Sequence, residues 1–122
     1  VNDKVEFTGL VSNPEKYYQN ADVYIQSSHR EAMPMSVLQA MMAHMPIIST
    51  NVGGLDDVVK ENGYLIDDND ITDLSKKMET FILMDTEQLS YMKGKSREIA
   101  MKYSSESMAL SYMNIFDKLL GD

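Results

Sequence analysis

The chain reads as an α/β protein, a parallel sheet with helices on both faces followed by C-terminal helices. Three observations predict this. Short β-branched runs alternate with segments of helical period over residues 1–69, which is the signature of strands joined by helical crossovers. From 70 to 122 the period is helical to the end, so a helical tail follows the alternating part. The composition is 43% apolar and 25% charged over 122 residues, enough for one compact unit with its own core and unlike a disordered chain.

The elements follow in order. Val5 and Phe7 alternate with Glu6 and Thr8, which predicts a short strand ending in a turn at Gly9. Asn13 is placed to cap a helix whose first position suits Pro14, with Tyr17, Tyr18 and Ala21 on its apolar face. In the next strand Val23 and Ile25 point to one side and Tyr24 to the other. A helix beginning at Pro34 carries Met35, Leu38, Met42 and Met45 at about the 3.6-residue period, with Pro46 closing it. The run PIIST predicts a strand, LDDVVK a short helix and YLI a last strand. Asn62 and Gly63 read as a helix C-cap, with a hairpin turn as the alternative. Three tail segments carry Leu74, Met78, Phe81 and Ile82, then Leu89, Met92 and Ile99, then Met108, Tyr112, Ile115, Phe116 and Leu119, the last capped by Ser104 or Ser105.

Charge and composition exclude several functions. Lys and Arg total 11 against 19 for Asp and Glu, a net charge of −8 that repels nucleic acid and anionic lipid, so no nucleic-acid partner is expected. A local ring of backbone amides still suits a single phosphate. With no cysteine and two histidines, His29 and His44, neither disulfides nor a metal site are expected, which fits a cytoplasmic location. No run approaches the roughly 18 apolar residues of a membrane span. A chain that starts at Val1 and offers only about four strands, where a doubly wound domain has five or six, is expected to be an excerpt. Its helices would then carry apolar surface meant for absent elements.

The chemistry concentrates in SSHREAMPMSVLQAM, residues 27–41, which runs from strand through loop to helix. Open α/β sheets bind ligands where loops leave the carboxyl ends of parallel strands. A helix start at Pro34 leaves the amides of Met35, Ser36 and Val37 without intrahelical partners, and the macrodipole adds about half a positive charge. A phosphate fits there. Glu31 and Gln39 can present groups to the hydroxyls of an attached sugar, although a dipole partner for Glu31 and a plain helix glutamine for Gln39 are the simpler readings.

This stretch resembles the C-terminal, donor-binding domain of the GT-B glycosyltransferases, in the large group called glycosyltransferase family 4. Its frame, S-x-x-E-G-F-G/P-M-S-V-L-E-A-M-A-x-G-x-P-V-I-x-T-x-x-G-G, reads here SHREAMPMSVLQAMMAHMPIISTNVGG over residues 28–54. VEFTGLV and YYQNADVYI before it, and ENGYLIDDND and YSSE after it, match in order. The resemblance implies the later part of a Rossmann-like donor domain, and transfer of a sugar from a nucleotide-diphosphate donor with retention of configuration. No bound metal or other cofactor is implied, the nucleotide sugar being a substrate. It implies a donor-sugar contact at Glu31 and a diphosphate seat on the backbone of Ala32, Met33, Pro34, Met35 and Ser36. Ribose binding falls to Gln39, and Gly53 and Gly54 line the pocket. A glycan or glycolipid acceptor, as in polysaccharide assembly, would be held by a separate N-terminal domain, with the full-length protein touching the inner face of the membrane.

Three departures from the frame matter. Gln39 stands for the second Glu, Ala32 for a glycine and His44 for the helix-ending glycine. If position 32 requires positive φ, alanine costs about 1 kcal/mol there. His44 is either a strained C-cap or a favourable end charge. The family's basic Arg and Lys pair lies outside these residues, with His29 and Arg30 the nearest cations, so the chain alone is expected to be inactive. A non-catalytic binding module of the same fold is the alternative. The basic stretch of Lys93, Lys95, Arg97 and Lys102 reads as a solvated helix face rather than a membrane contact, the acidic runs as turns and caps, and the 11 methionines as core.

Overall fold

The computed structural model describes residues 2–121. After a 3₁₀ turn at Asn2–Lys4, α1 (Glu15–Asn20) precedes an alternating unit of β1 (Tyr24–Gln26), α2 (Met35–Met42), β2 (Ile47–Thr50), α3 (Leu55–Val58) and β3 (Gly63–Ile66). Three helices follow: α4 (Ile71–Leu83), α5 (Thr86–Met101) and α6 (Ser105–Leu120). The strands pair in parallel in the order β1-β2-β3, with Ile48 beside Ile25 on one side and Tyr64 on the other.

Helices cover both faces of the sheet, and the alternation of side chains along β2 separates two apolar layers. Ile47 joins Val37, Leu38, Ala40 and Met41 of α2, Leu55 and Val58 of α3, and Ala100 of α5. Ile48 joins Ile66, Phe81 of α4 and Met92 of α5 on the opposite side. Val23 and Tyr24 divide between the layers as their alternation predicts. Helix α5 therefore reaches both layers, passing the amino end of β2, where Ser96 Oγ donates to the Met45 carbonyl at 2.6 Å and Arg97 Nη1 to that of Met42 at 2.8 Å. The opposite end of the sheet is left for loops.

Local sequence sets several boundaries, those at Asp70 and Ser104 as expected. Asp70 and Asp85 cap α4 and α5 by accepting from Asp73 and Gln88 amides, each at 2.8 Å, and Ser104 caps α6 through the Ser107 amide at 3.2 Å. The acidic residues thus serve as caps and first-turn charges. Helix α2 closes in a Schellman motif: the Met45 amide bonds the Ala40 carbonyl and the His44 amide that of Met41, both at 3.0 Å. This puts His44 at φ 63°, the strained alternative, so His44 ends the helix before Pro46 is reached.

Other expectations are corrected. Residues 5–8 form no strand; Val5 and Phe7 are exposed, because no strand in the described sheet lies beside them and an isolated strand has no partner for its amides. Gly9 has φ 62°, and the chain bends at Leu10 without a hydrogen-bonded turn. No side chain caps α1, whose flanking residue is Pro14. Met35 is 65% exposed, since the buried stripe of α2 runs through Val37, Leu38, Ala40 and Met41 instead. Asn62 and Gly63 make neither a C-cap nor a hairpin. Gly63 opens β3 at a point where a Cβ would lie 1.9 Å from the Ile47 carbonyl oxygen, and Asn62 is buried with its Oδ1 accepting from the Lys60 amide at 2.8 Å.

Helix α6 buries none of its residues. Met108, Tyr112, Ile115, Phe116 and Leu119 are all exposed along one stripe, which matches the expected apolar surface without a cover among the described residues.

Candidate functional site

The loop that leaves β1 reaches α2 over residues 27–34, at the carboxyl end of the sheet. Three ties fix its path. Thr50, the last residue of β2, donates from Oγ1 to the Ser28 carbonyl at 2.6 Å. His29 Nδ1 lies 2.5 Å from Asp68 Oδ1 in the loop after β3. The Gly54 amide donates to the Ala32 carbonyl at 2.7 Å. Gly53 packs against the same backbone at φ 59°, where a Cβ would lie 2.3 Å from the Glu31 carbonyl oxygen and 2.4 Å from that of Ala32. A Cβ on Gly54 would lie 2.9 Å from the Met33 side chain. Glu31, Ala32, Met33, Gly53 and Gly54 are thus brought into one cluster. Ala32 has no positive φ, so the feared strain at that position does not arise.

The Glu31 side chain is half-buried and accepts from Gln26 Nε2 at 3.1 Å. Gln26 also donates to Ser28 Oγ, and its Oε1 accepts from the Tyr24 hydroxyl at 2.9 Å. Tyr24 and Gln26 are two apart on β1 and so share the sheet face that α2 covers. Sequence reasoning passed over Gln26. A glutamine in phase with a half-buried tyrosine, just before a polar loop, was the available signal.

Pro34 is buried with extended backbone, φ −72° and ψ 119°, and starts α2 without a side-chain cap. The Val37 amide bonds the Pro34 carbonyl at 3.1 Å, so Val37 is not an open donor; the amides of Met35 and Ser36 have no intrahelical acceptor. Gln39 is exposed one turn further along, on a groove of about 530 Å³ that Glu31, Gly53 and Gly54 do not line. Tyr18, Leu38, Met42 and Tyr103 give this groove apolar walls. Burial, and then the neighbouring Tyr24, push the Tyr18 phenol above its ordinary pKa, so it is neutral at physiological pH.

The site's own charge is set by Glu31 and the helix start. His29 is engaged with Asp68, and Arg30 lies exposed on the loop. The basic residues of α5 are held at the surface: Lys95 pairs with Glu98 at 2.9 Å, which lowers the Glu98 pKa, and Lys93 lies 3.9 Å from Asp22. Among the described residues no three His, Cys, Asp or Glu side chains gather where they would hold a metal ion, and no helix is long and apolar enough to cross a membrane.

A parallel sheet with helices on both faces, and a loop-to-helix site at its carboxyl end, defines a Rossmann-like ligand-binding fold. The sequence model of the family described as glycosyl transferases group 1 matches residues 1–99, and the chain belongs to that family. It is 28% identical over 118 residues to an uncharacterized glycosyltransferase of Haemophilus influenzae, covering 94% of this chain and 33% of that protein. It is 25% identical over 112 residues to a poly(ribitol-phosphate) alpha-N-acetylglucosaminyltransferase of Staphylococcus aureus, covering 89% of this chain and 23% of that one. Among solved structures, sucrose-phosphate synthase from Thermosynechococcus elongatus superposes with a TM-score of 0.82 at 27% identity, covering 97% of this chain and 31% of that one. The fold is that of the GT-B glycosyltransferases. The chain spans about a third or less of the length of each of these proteins.

Proposed function

We propose that this chain is the donor-binding part of a retaining glycosyltransferase that uses a nucleotide-diphosphate sugar. The observation that carries the reading is the fixed loop: Glu31 and Ala32 are locked against Gly53 and Gly54 immediately before the open amides of Met35 and Ser36. The backbone of Ala32, Met33, Pro34, Met35 and Ser36 seats the diphosphate, the Glu31 carboxylate faces the hydroxyls of the donor sugar, and Gln39 hydrogen-bonds the ribose. The apolar groove beside Gln39 takes the nucleobase. As the bond from the sugar's anomeric carbon to the diphosphate oxygen breaks, its electron pair stays on that oxygen. The helix-start amides stabilise the developing charge in place, without reorganising. The acceptor hydroxyl oxygen then bonds the anomeric carbon and passes its proton to the departing diphosphate.

Glycan or glycolipid acceptors, and contact with a membrane face, belong to this reading through the rest of the protein. The test is Glu31→Gln in the full-length protein. Its kcat falls about a hundredfold or more with little change in the donor KM, since the carboxylate's hold on the sugar hydroxyls strengthens as positive charge develops at the anomeric carbon in the transition state. Unchanged turnover rejects the reading. Persistent binding of nucleoside diphosphate with no turnover in the unsubstituted protein, before and after Gln39→Glu, supports instead a non-catalytic binding module.

A further inference from the structure

We propose that Gln26 is a positioning residue that holds the Glu31 carboxylate in the orientation that transfer requires, with Tyr24 fixing the Gln26 amide. The inference rests on the proposed role of Glu31 and names a part of the site that the family frame does not mark. Gln26 Nε2 stands 3.1 Å from Glu31 Oε1 across the loop, and the two residues are half-buried. A side-chain amide has two orientations, and only one directs its N–H groups at the carboxylate; the other would set the amide oxygen against a carboxylate oxygen. The Glu31 carboxylate, which can only accept, selects the first, and Tyr24 tethers the amide in it. The Tyr24 hydroxyl donates to Gln26 Oε1 at 2.9 Å, leaving Nε2 free to serve Glu31 Oε1 and the Ser28 hydroxyl.

Each member of this relay sits on a rigid element or a tied loop. Tyr24 and Gln26 belong to β1, which pairs with β2 through Ile47 and Ser49. Ser28 is held through its carbonyl by Thr50, and the Glu31 backbone carbonyl is packed by Gly53. The backbone clamp thus fixes where Glu31 starts, and the glutamine amide fixes where its charge ends. A carboxylate so held meets the donor sugar without first losing rotamer freedom. One carboxylate oxygen is used by Gln26, which leaves the other for a sugar hydroxyl.

The test compares Gln26→Met and Gln26→Glu with Glu31→Gln in the full-length protein, by steady-state kinetics with the donor varied. Methionine keeps the length and volume of the side chain but has no donor, and glutamate keeps the shape while placing a like charge beside Glu31. The expected result is about a tenfold fall in kcat for Gln26→Met at an unchanged donor KM and an unchanged unfolding temperature, and a larger fall for Gln26→Glu. Two outcomes overturn the proposal while the role of Glu31 stands. One is wild-type kcat in both Gln26 variants beside an inactive Glu31→Gln. The other is equal losses in both accompanied by a raised KM and a lowered unfolding temperature, which mark a merely structural role. An active Glu31→Gln variant removes the functional reading itself, and the positioning role with it.

Discussion

Gly53 stands against the backbone of Glu31 so closely that a Cβ would come within 2.3 Å of the Glu31 carbonyl oxygen, and it does so at φ 59°. The carboxylate loop and the turn after β2 are therefore one mechanical unit. Both the contact and the dihedral exclude a side chain at this position.

Substituting Gly53→Ala is therefore expected to cost more than about 2 kcal/mol, the sum of left-handed strain and displacement of the Glu31 backbone. Thermal unfolding measures the first consequence. Loss of nucleotide binding, followed in the same variant, measures the second.

At His44 the expected effect has the opposite sign. The residue occupies the left-handed position of a Schellman motif, is exposed, and has no hydrogen bond from its ring to preserve. His44→Gly relieves the strain and is expected to raise stability by about 0.5–1 kcal/mol, net of the extra entropy of glycine in the unfolded chain. A higher urea midpoint at constant slope is the check.

Burial separates two apolar positions that look alike in sequence. Leu55 is fully buried in the layer that α2 and Ile47 share, so Leu55→Ala is expected to cost about 2–5 kcal/mol. Phe116 lies exposed on α6, and Phe116→Ala is expected to change stability of this chain by no more than about 0.5 kcal/mol. Equal losses at the two positions would show that α6 is covered within the chain.

The raised phenol of Tyr18 sets the sign of an alkaline dependence. The folded protein keeps this proton to higher pH than the unfolded chain, so its contribution is complete below the ordinary value of 10.0 and is lost as pH rises through the raised folded value. Tyr18→Phe should flatten part of the fall in unfolding temperature above that pH. Tyr91, raised chiefly by its hydrogen bond to Glu61, keeps a remainder.

Replacing Gln39 by Glu in the full-length protein tests the departure from the family frame. A carboxylate accepts from two ribose hydroxyls where the amide oxygen shares its space with a donor, so nucleotide affinity is expected to rise about three- to tenfold. Calorimetric titration with a nucleoside diphosphate reads the change. Weaker binding would mean that Gln39 uses its N–H group on the ligand.

The sequence by itself determined the α/β class, the order of elements from α1 to α6, the caps at Asp70 and Ser104, and the motif that places Glu31 before a helix start. These are local or periodic properties: a cap is read within four residues, and a sheet covered on both faces shows itself in the spacing of apolar residues. The tertiary structure decided what depends on neighbours distant in the chain. Residues 5–8 have strand composition but no adjacent strand among the described residues to bond, so their pattern yields no strand. Gly63 is required by the Ile47 carbonyl beside it, not by a turn. The sequence shows that α6 has an apolar stripe, and the structure shows which stripe is left exposed among the described residues, because periodicity reports a face to be covered without stating what covers it. The hold of Gln26 on Glu31 is likewise invisible to spacing, since it exists only when β1 and the loop fold back on one another.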